Sequence, residues 1–323
     1  MSPAGKAAGR KRLDVLLTER GHFPSREKAQ AAILAGLVRV GGVRVDKPGT
    51  LLRPEVEIAL EQTARFVGRG GEKLDGALDR LGLDVSGARA LDVGASTGGF
   101  TDCLLQRGAS TVVALDVGRG QLDWKIRTDP RVLVIEGVNA RYLDPASVPS
   151  PFDLVVVDVS FISLRLVLPV LFPLLRGPEP PLGGRPPSQG PMGATPGISR
   201  GPETRLSLPL LLALVKPQFE AGREKVGRRG VVTDPEVQID AIVRVASCAD
   251  GARTAGAHAG TAASPLASGT EEPIRVLAIV ESPLRGAEGN REFFLAFGHG
   301  GGLGGEALAE EASRVVLGEG AAP

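Results

Sequence analysis

The chain has 323 residues, 38 Lys+Arg against 37 Asp+Glu, and 42% hydrophobic residues, a composition that supports a globular core and excludes a collagen or a fully disordered chain. Two cysteines without zinc spacing exclude a disulfide framework, and no metal site is expected. The N-terminus MSPAGKAAGRKRLDVLL lacks a signal-peptide apolar core, and apolar runs such as Leu208 to Val215 are too short to span a bilayer. A cytoplasmic protein is expected, with no membrane association and no obligatory protein partner.

Residues 1–60 carry eleven Lys/Arg and six Asp/Glu although the whole chain is nearly neutral. A basic module of this kind suits a polyanion. Within it, Leu13, Leu16 and Leu17 sit at helical spacing and Gly21 stops the helix. A second helix runs from the N-cap residue Ser25 to Gly36. Val38-Arg39-Val40 and Val43-Arg44-Val45 alternate around Gly41-Gly42, the pattern of a hairpin.

Beyond a connector the rhythm changes to strands and helices in alternation. Strands are expected at 88–94, 111–117, 132–137, 153–161 and 208–217, with late strands at 275–282 and 292–297, and a helix from Gly98 to Gly108. Continuous apolar strands separated by helices indicate a parallel α/β sheet covered on both faces. Residues 176–205 contain 7 Gly and 8 Pro and are expected as a disordered insertion, with 253–273 a weaker case of the same kind. The tail 299–323 is expected to be flexible, with a short amphipathic helix possible in EALAEEASRVVL.

The first strand of this region runs directly into Gly94-Ala95-Ser96-Thr97-Gly98-Gly99. A glycine-rich turn there lets backbone approach a ligand, and an acid ending the second strand, Asp116, is where ribose hydroxyls are usually held. The turn is neither GxGxxG nor a Walker loop, so a dinucleotide or a nucleoside triphosphate is disfavoured.

Two resemblances sharpen this reading. Residues 11–58, with Arg12-Leu13-Asp14, Ser25-Arg26 and VRVGGVRVDKPGTLL, resemble an S4 RNA-binding domain. That likeness implies Arg12, Arg26, Lys28, Arg39, Arg44 and Lys47 as contacts to RNA phosphates. The blocks LDVGASTGGFTDCLLQRGA, VVALDVGRGQLDWKIRTDPRV, DLVVVDVSFISL, LVKPQFEAGRE and GNREFF resemble the TlyA family, S4-containing FtsJ-like methyltransferases also called hemolysins. The resemblance implies a Rossmann-like methyltransferase sheet joined to a small α+β S4 domain, S-adenosylmethionine as cofactor, and 2′-O-methylation of ribosomal RNA, at a cytidine, on free RNA or a ribosomal subunit. It implies Gly94, Ser96, Gly98 and Gly99 at the cofactor's methionine end, Asp116 at its ribose and Asn139 near its adenine. It also carries over a Lys-Asp-Lys-Glu catalytic set at Lys73, Asp158, Lys216 and Glu292. The expected division is an S4-like domain at 1–61, a connector at 62–71, a methyltransferase domain at 72–298 and the tail.

A ribose hydroxyl needs an in-line methyl donor and help in losing its proton. Lys216, at the end of an apolar strand, is expected as the general base, with Lys73 tuning the site and the two acids positioning the lysines. The competing readings are an S4-type ribosome-assembly factor with an inert methyltransferase fold, a direct hemolysin, and a pseudouridine synthase. Two lysines at those places have no structural reason in an inert fold. Lysis lacks a membrane span, and the strand pattern of a pseudouridine synthase is missing. Cys103, Cys248 and Trp124 are expected to be packing residues, and the three histidines form no ligand set.

Overall fold

A computed structural model describes residues 9–60, 64–177, 206–227, 229–252 and 273–318. The expected disordered insertions lie outside the described residues, apart from Arg176, Gly177 and Pro273. The chain divides into two compact units, one ending at Arg65 and the other beginning at Phe66.

In the first unit, β1 (Lys11–Arg12) leads into α1 (Leu13–Glu19) and α2 (Arg26–Leu34), followed by β2 (Val38–Val40), β3 (Val43–Arg44), β4 (Leu51–Leu52) and β5 (Ile58–Leu60). Ser25 caps α2 by accepting from the Lys28 amide. Gly41 and Gly42 turn β2 into β3 with φ of 56° and 81°, the positive values that a two-residue hairpin loop requires. Leu13, Leu17, Ala29, Ile33 and Val38 make a small core. Two short pairings were not anticipated: β1 with β4, and β5 on the free edge of β2.

The second unit opens with α3 (Arg69–Arg80), β6 (Arg89–Val93), α4 (Gly99–Gln106), β7 (Thr111–Asp116), α5 (Trp124–Arg127), β8 (Val132–Glu136), β9 (Leu154–Val157) and α6 (Leu168–Leu171). It continues with β10 (Leu210–Val215), α7 (Pro217–Glu220), α8 (Pro235–Ala246), β11 (Ile274–Glu281), β12 (Phe293–His299) and α9 (Gly305–Leu317). The seven-stranded sheet has the order β11-β12-β10-β9-β6-β7-β8. Strands β8, β7, β6, β9 and β10 are parallel, and β12 runs antiparallel between β10 and β11.

The apolar runs have the predicted consequence. Every residue of β9 and β10 is buried. Leu211, Ala213 and Val215 face one core together with α8 and α9. Leu210, Leu212 and Leu214 face the other, with α3 and α4. This period-two division is why both faces of β9 and β10 are apolar.

Over residues 299–318 the short amphipathic helix expected in EALAEEASRVVL forms as α9, but it is docked rather than loose: it packs Leu308, Ala312 and Val316 into the core. Burying two branched aliphatic side chains is worth about 3–6 kcal/mol relative to exposure, enough to dock a helix whose other face is polar. The expected connector 62–71 likewise gives Phe66 and Gly71 to the second unit: Phe66 is buried, and a Cβ on Gly71 would fall 2.3 Å from its ring.

Candidate active site

The parallel strands all end at one edge of the sheet, where the loops after β6, β7, β9 and β10 gather. After β6 the chain turns through Gly94 (φ 86°), Ser96 (φ 50°) and Gly98 (φ 94°). A Cβ on Gly94 would lie 2.3 Å from the Asp158 carbonyl oxygen, so only glycine fits between the ends of β6 and β9. A Cβ on Gly99 would come 2.9 Å from the Gly71 amide nitrogen. The N-terminal ends of α3 and α4 therefore approach closely because both carry glycine. Gly98 caps α4 and faces Leu122, which its Cβ would meet at 2.9 Å.

Two adjoining hollows result. One, of about 120 Å³, is lined by Gly70, Gly94, Ala95, Ser96, Thr97, Gly99, Phe100 and Asp158. The other lies at the ends of β7 and β8 and is lined by Ser96, Asp116, Gly118, Gln121, Leu122 and Glu136, among others. Asp116 accepts from the Ser96 amide at 2.8 Å and the Gly118 amide at 2.6 Å. These bonds fix the carboxylate at the mouth of the second hollow. Gly94, Ser96, Gly99 and Asp116 thus line the hollows, whereas Gly98 stands behind as the helix cap. Asn139 lines neither hollow: its Oδ1 accepts from the Arg141 amide at 3.0 Å and caps a single turn after β8.

The four residues of the expected catalytic set form two ion pairs. Lys216 Nζ lies 2.6 Å from Asp158 Oδ1 and donates to Ser160 Oγ at 2.8 Å. Lys73 Nζ lies 2.6 Å from Glu292 Oε2. Both lysines are 8% exposed and Glu292 is 2% exposed. The sheet order accounts for this. Val215 is the register partner of Phe293, so Lys216 leaves β10 where Glu292 enters β12. Asp158 follows β9, the neighbour of β10 on the other side. Lys73 comes from α3, one turn beyond Gly70 of the larger hollow.

Three residues here escaped sequence reasoning. Ser160 is a partner of Lys216. Glu220, at the end of α7, accepts from Ser163 Oγ at 2.5 Å and the Leu164 amide at 2.7 Å. It ties the loop after β9 to the one after Lys216, and burial holds its carboxyl above the usual range. Asp92, the fourth residue of β6, is fully buried and accepts from Thr101 Oγ1 at 2.6 Å. Burial first, then the charges of Asp158 and Asp116, push its pKa up to about 7. In β6 a period-two reading would have marked Asp92 as an acid inside a buried strand, a signal that was available.

The loop after β9 also carries Phe161, 91% exposed with φ of 65°. A positive φ on an aromatic residue is strained. Its ring lies 5.2 Å from that of Phe219 on α7, and Lys216 Nζ lies 6.0 Å from the Phe219 ring.

In the first unit all six expected RNA contacts are exposed. Asp14, with no accessible side-chain surface, anchors two of them. It is bonded by Arg12 Nε at 3.0 Å, Arg26 Nη2 at 3.0 Å and Gln30 Nε2 at 2.7 Å. The Arg12 bond, ahead of those from Gln30 and Arg26, holds the Asp14 carboxyl far below the usual range. Arg39 donates to the Gly42 carbonyl and is the register partner of Arg44. Lys11 and Arg20 are engaged within the unit, with Glu19 and with the Pro54 and Val56 carbonyls. Among the described residues no group of His, Cys, Asp and Glu could hold a metal ion, and no helix is long and apolar enough to cross a membrane.

Residues 66–299 match the family model of FtsJ-like methyltransferases, and residues 11–58 match that of the S4 domain. The chain is 39% identical over 290 residues to the 16S/23S rRNA (cytidine-2′-O)-methyltransferase TlyA of Mycobacterium tuberculosis, spanning 89% of this chain and 90% of that one. It is 34% identical over 291 residues to Hemolysin A of Brachyspira hyodysenteriae, spanning 88% of this chain and 99% of that one. A solved structure from Streptococcus thermophilus, provisionally named a hemolysin, has a TM-score of 0.61 and 33% identity, and the match covers 97% of this chain and 96% of that one.

Proposed function

Because this chain belongs to the TlyA family of S4-containing, FtsJ-like methyltransferases, we propose that it transfers a methyl group from S-adenosylmethionine to the 2′-hydroxyl of a cytidine in ribosomal RNA. The observation that carries this reading is the presence of two lysine–carboxylate ion pairs beside a glycine-lined hollow, with Lys73, Lys216 and Glu292 buried and Asp158 partly exposed. Burying three charged groups carries a desolvation cost that pairing only partly offsets, which points to a functional reason for keeping them.

The hollows fit the cofactor. The larger hollow opens beside Gly94, Ser96 and Gly99, and Asp116 offers acceptor lone pairs to ribose hydroxyls at the smaller one. Gly94, Ser96 and Gly99 would hold the methionine end, with Gly98 shaping the turn behind them. Asn139, expected near the adenine, stands at the turn after β8 and lines neither hollow. When bound, S-adenosylmethionine supplies a methyl carbon already activated by its sulfonium.

The chain's own residues do the rest. Lys216 Nζ donates to Ser160 Oγ and stands 2.6 Å from Asp158 Oδ1 as its ion-pair partner. A further N–H of the ammonium serves the ribose hydroxyl, which it orients. For Nζ to act as a base, its own proton has to move first, and Asp158 Oδ1 at 2.6 Å is the acceptor within reach. Nζ would then take the proton that the ribose hydroxyl gives up as its oxygen is methylated. Lys73, held by Glu292, adds a second fixed positive charge for the developing alkoxide. The exposed Phe161 ring offers a stacking face to a base turned out of its strand. Arg12, Arg26, Lys28, Arg39, Arg44 and Lys47 hold RNA phosphates.

The test is transfer of labelled methyl to ribosomal RNA by the purified full chain, followed by a ribose-methylation map of the product. Label on a base, or no label at all, overturns the reading. Asp116→Ala should weaken cofactor binding in calorimetry about tenfold or more, as loss of charge-assisted hydrogen bonds implies.

A further inference from the structure

The two residues before Glu292 are tied down by side-chain hydrogen bonds. Asn290 is buried, accepts from the Val232 amide at 2.9 Å and donates to the Gly230 carbonyl at 2.8 Å. The Val232 carbonyl in turn accepts from Gln238 Nε2 of α8 at 2.8 Å. Arg291 makes a fork on Glu281, with Nε–Oε1 and Nη2–Oε2 both 2.7 Å, and its Nη1 donates to the Val316 carbonyl at 2.6 Å. Val316 lies in the last turn of α9, where carbonyls have no partner inside the helix and a cation complements the helix dipole.

Arg291 therefore joins the end of β11 and the end of α9 to the backbone from which Glu292 projects. Glu292 itself sits in a tight slot: a Cβ on Gly286 would lie 2.6 Å from its Oε1. Its other oxygen holds Lys73. We propose that Arg291 is a positioning residue for methyl transfer. By gripping Glu281 and the carbonyl end of α9, it sets where Glu292 and through it Lys73 stand, and it makes the last helix of the chain part of the catalytic scaffold. The proposal rests on the reading of Lys73 and Glu292 as part of the methyl-transfer machinery.

Geometry of this kind matters because a displacement of about 1 Å far from the reacting atoms can cost about 10²-fold in rate. A merely structural role would lower the folded fraction whatever stands at 292. A positioning role acts only through Glu292. The experiment is a double-mutant cycle of Arg291→Ala and Glu292→Gln in the full chain. The rate is taken per cofactor-binding site counted by calorimetry, so that unfolded protein does not enter. Arg291→Ala should lower kcat about tenfold with Glu292 present and less than twofold in the Glu292→Gln background, with cofactor Kd unchanged. Arg291→Lys, which keeps the charge but loses the fork, should fall between, and it carries the same cycle should Arg291→Ala not fold. Equal losses in both backgrounds, or no loss, overturn the proposal. A Glu292→Gln variant with full rate overturns it together with the reading of the four residues. A slow Glu292→Gln beside a fully active Arg291→Ala overturns the proposal alone.

Discussion

Each unit of the molecule contains one aspartate with no accessible surface, and the two behave in opposite ways. Asp14 in the S4 unit is surrounded by Arg12, Arg26 and Gln30, and its carboxyl stays charged far into acid. Asp92 in the methyltransferase unit has a threonine hydroxyl as its partner and two further carboxylates in its field, and its pKa rises to about 7. Hydrogen bonds from cations lead at Asp14 and desolvation leads at Asp92, so depth of burial and counter-charge together decide the protonation state. The cations differ too. In the S4 unit the acid is buried and the guanidiniums are about half exposed, facing solvent. In the methyltransferase unit the lysines themselves are buried against Asp158 and Glu292. The first arrangement presents charge to a polyanion, and the second withdraws charge from water for use at one reacting oxygen.

The largest way to break this contrast is Lys216→Ala. It should lower methyl transfer by roughly 10²–10⁴-fold, while cofactor affinity measured by calorimetry stays within about threefold. Lys216→Arg should fail as well, since a guanidinium keeps its proton. Near-normal rates with Arg would mean that a fixed positive charge suffices and that Lys216 is no base.

The buried aspartates give the next effect, on stability. Asp92 has a folded pKa above its unfolded value, so its contribution is fully present below about pH 4. It is lost progressively as pH rises to about 7, where the protein has to charge a buried carboxyl. Asp92→Asn should remove that decline and stabilise the chain at pH 8 by on the order of a few kcal/mol. Denaturant unfolding at pH 5 and pH 8 measures it, and parallel pH profiles for variant and parent would contradict the assignment. Asp14 runs the other way. Its folded pKa is depressed, so its contribution is present above about pH 4 and fades as pH falls below that. Asp14→Asn should therefore be most harmful at neutral pH and should converge on the parent in acid.

A smaller effect separates cations that face RNA from cations used internally. Replacing Arg12 and Arg26 together by Ala should weaken RNA binding at every sequence tested and flatten its salt dependence by about two phosphate contacts. Arg20→Ala, which removes a brace on the Pro54 and Val56 carbonyls, should cost about 1 kcal/mol of stability and leave the salt slope alone. A slope that falls with Arg20 instead would place that residue on the RNA side.

Much of the fold was legible because its signals are local. Gly41-Gly42 specifies a hairpin by its own torsions. The apolar runs of β9 and β10 state that both faces are covered. The glycines from 94 to 99 mark a close approach before any partner is known. The four residues of the catalytic set were legible only through family motifs, because nothing local distinguishes Lys73 from a surface lysine.

The tertiary structure decided which groups meet. Lys73 and Glu292 stand 219 positions apart, and their pairing follows from β12 being inserted beside β10, an order no local pattern reports. Lys216 stands next to Asp158 because β10 pairs with β9 on its other side. Ser160 and Glu220 became visible only once the loops after β9 and β10 were neighbours. The glycine-rich stretch 300–304 reads as the start of a loose tail, yet α9 beyond it docks, because an exposed face elsewhere in the chain needs Leu308, Ala312 and Val316. Local torsions and hydrophobic period are written into consecutive residues; charge pairing and the docking of amphipathic faces depend on distant residues and exist only when the sheet is assembled.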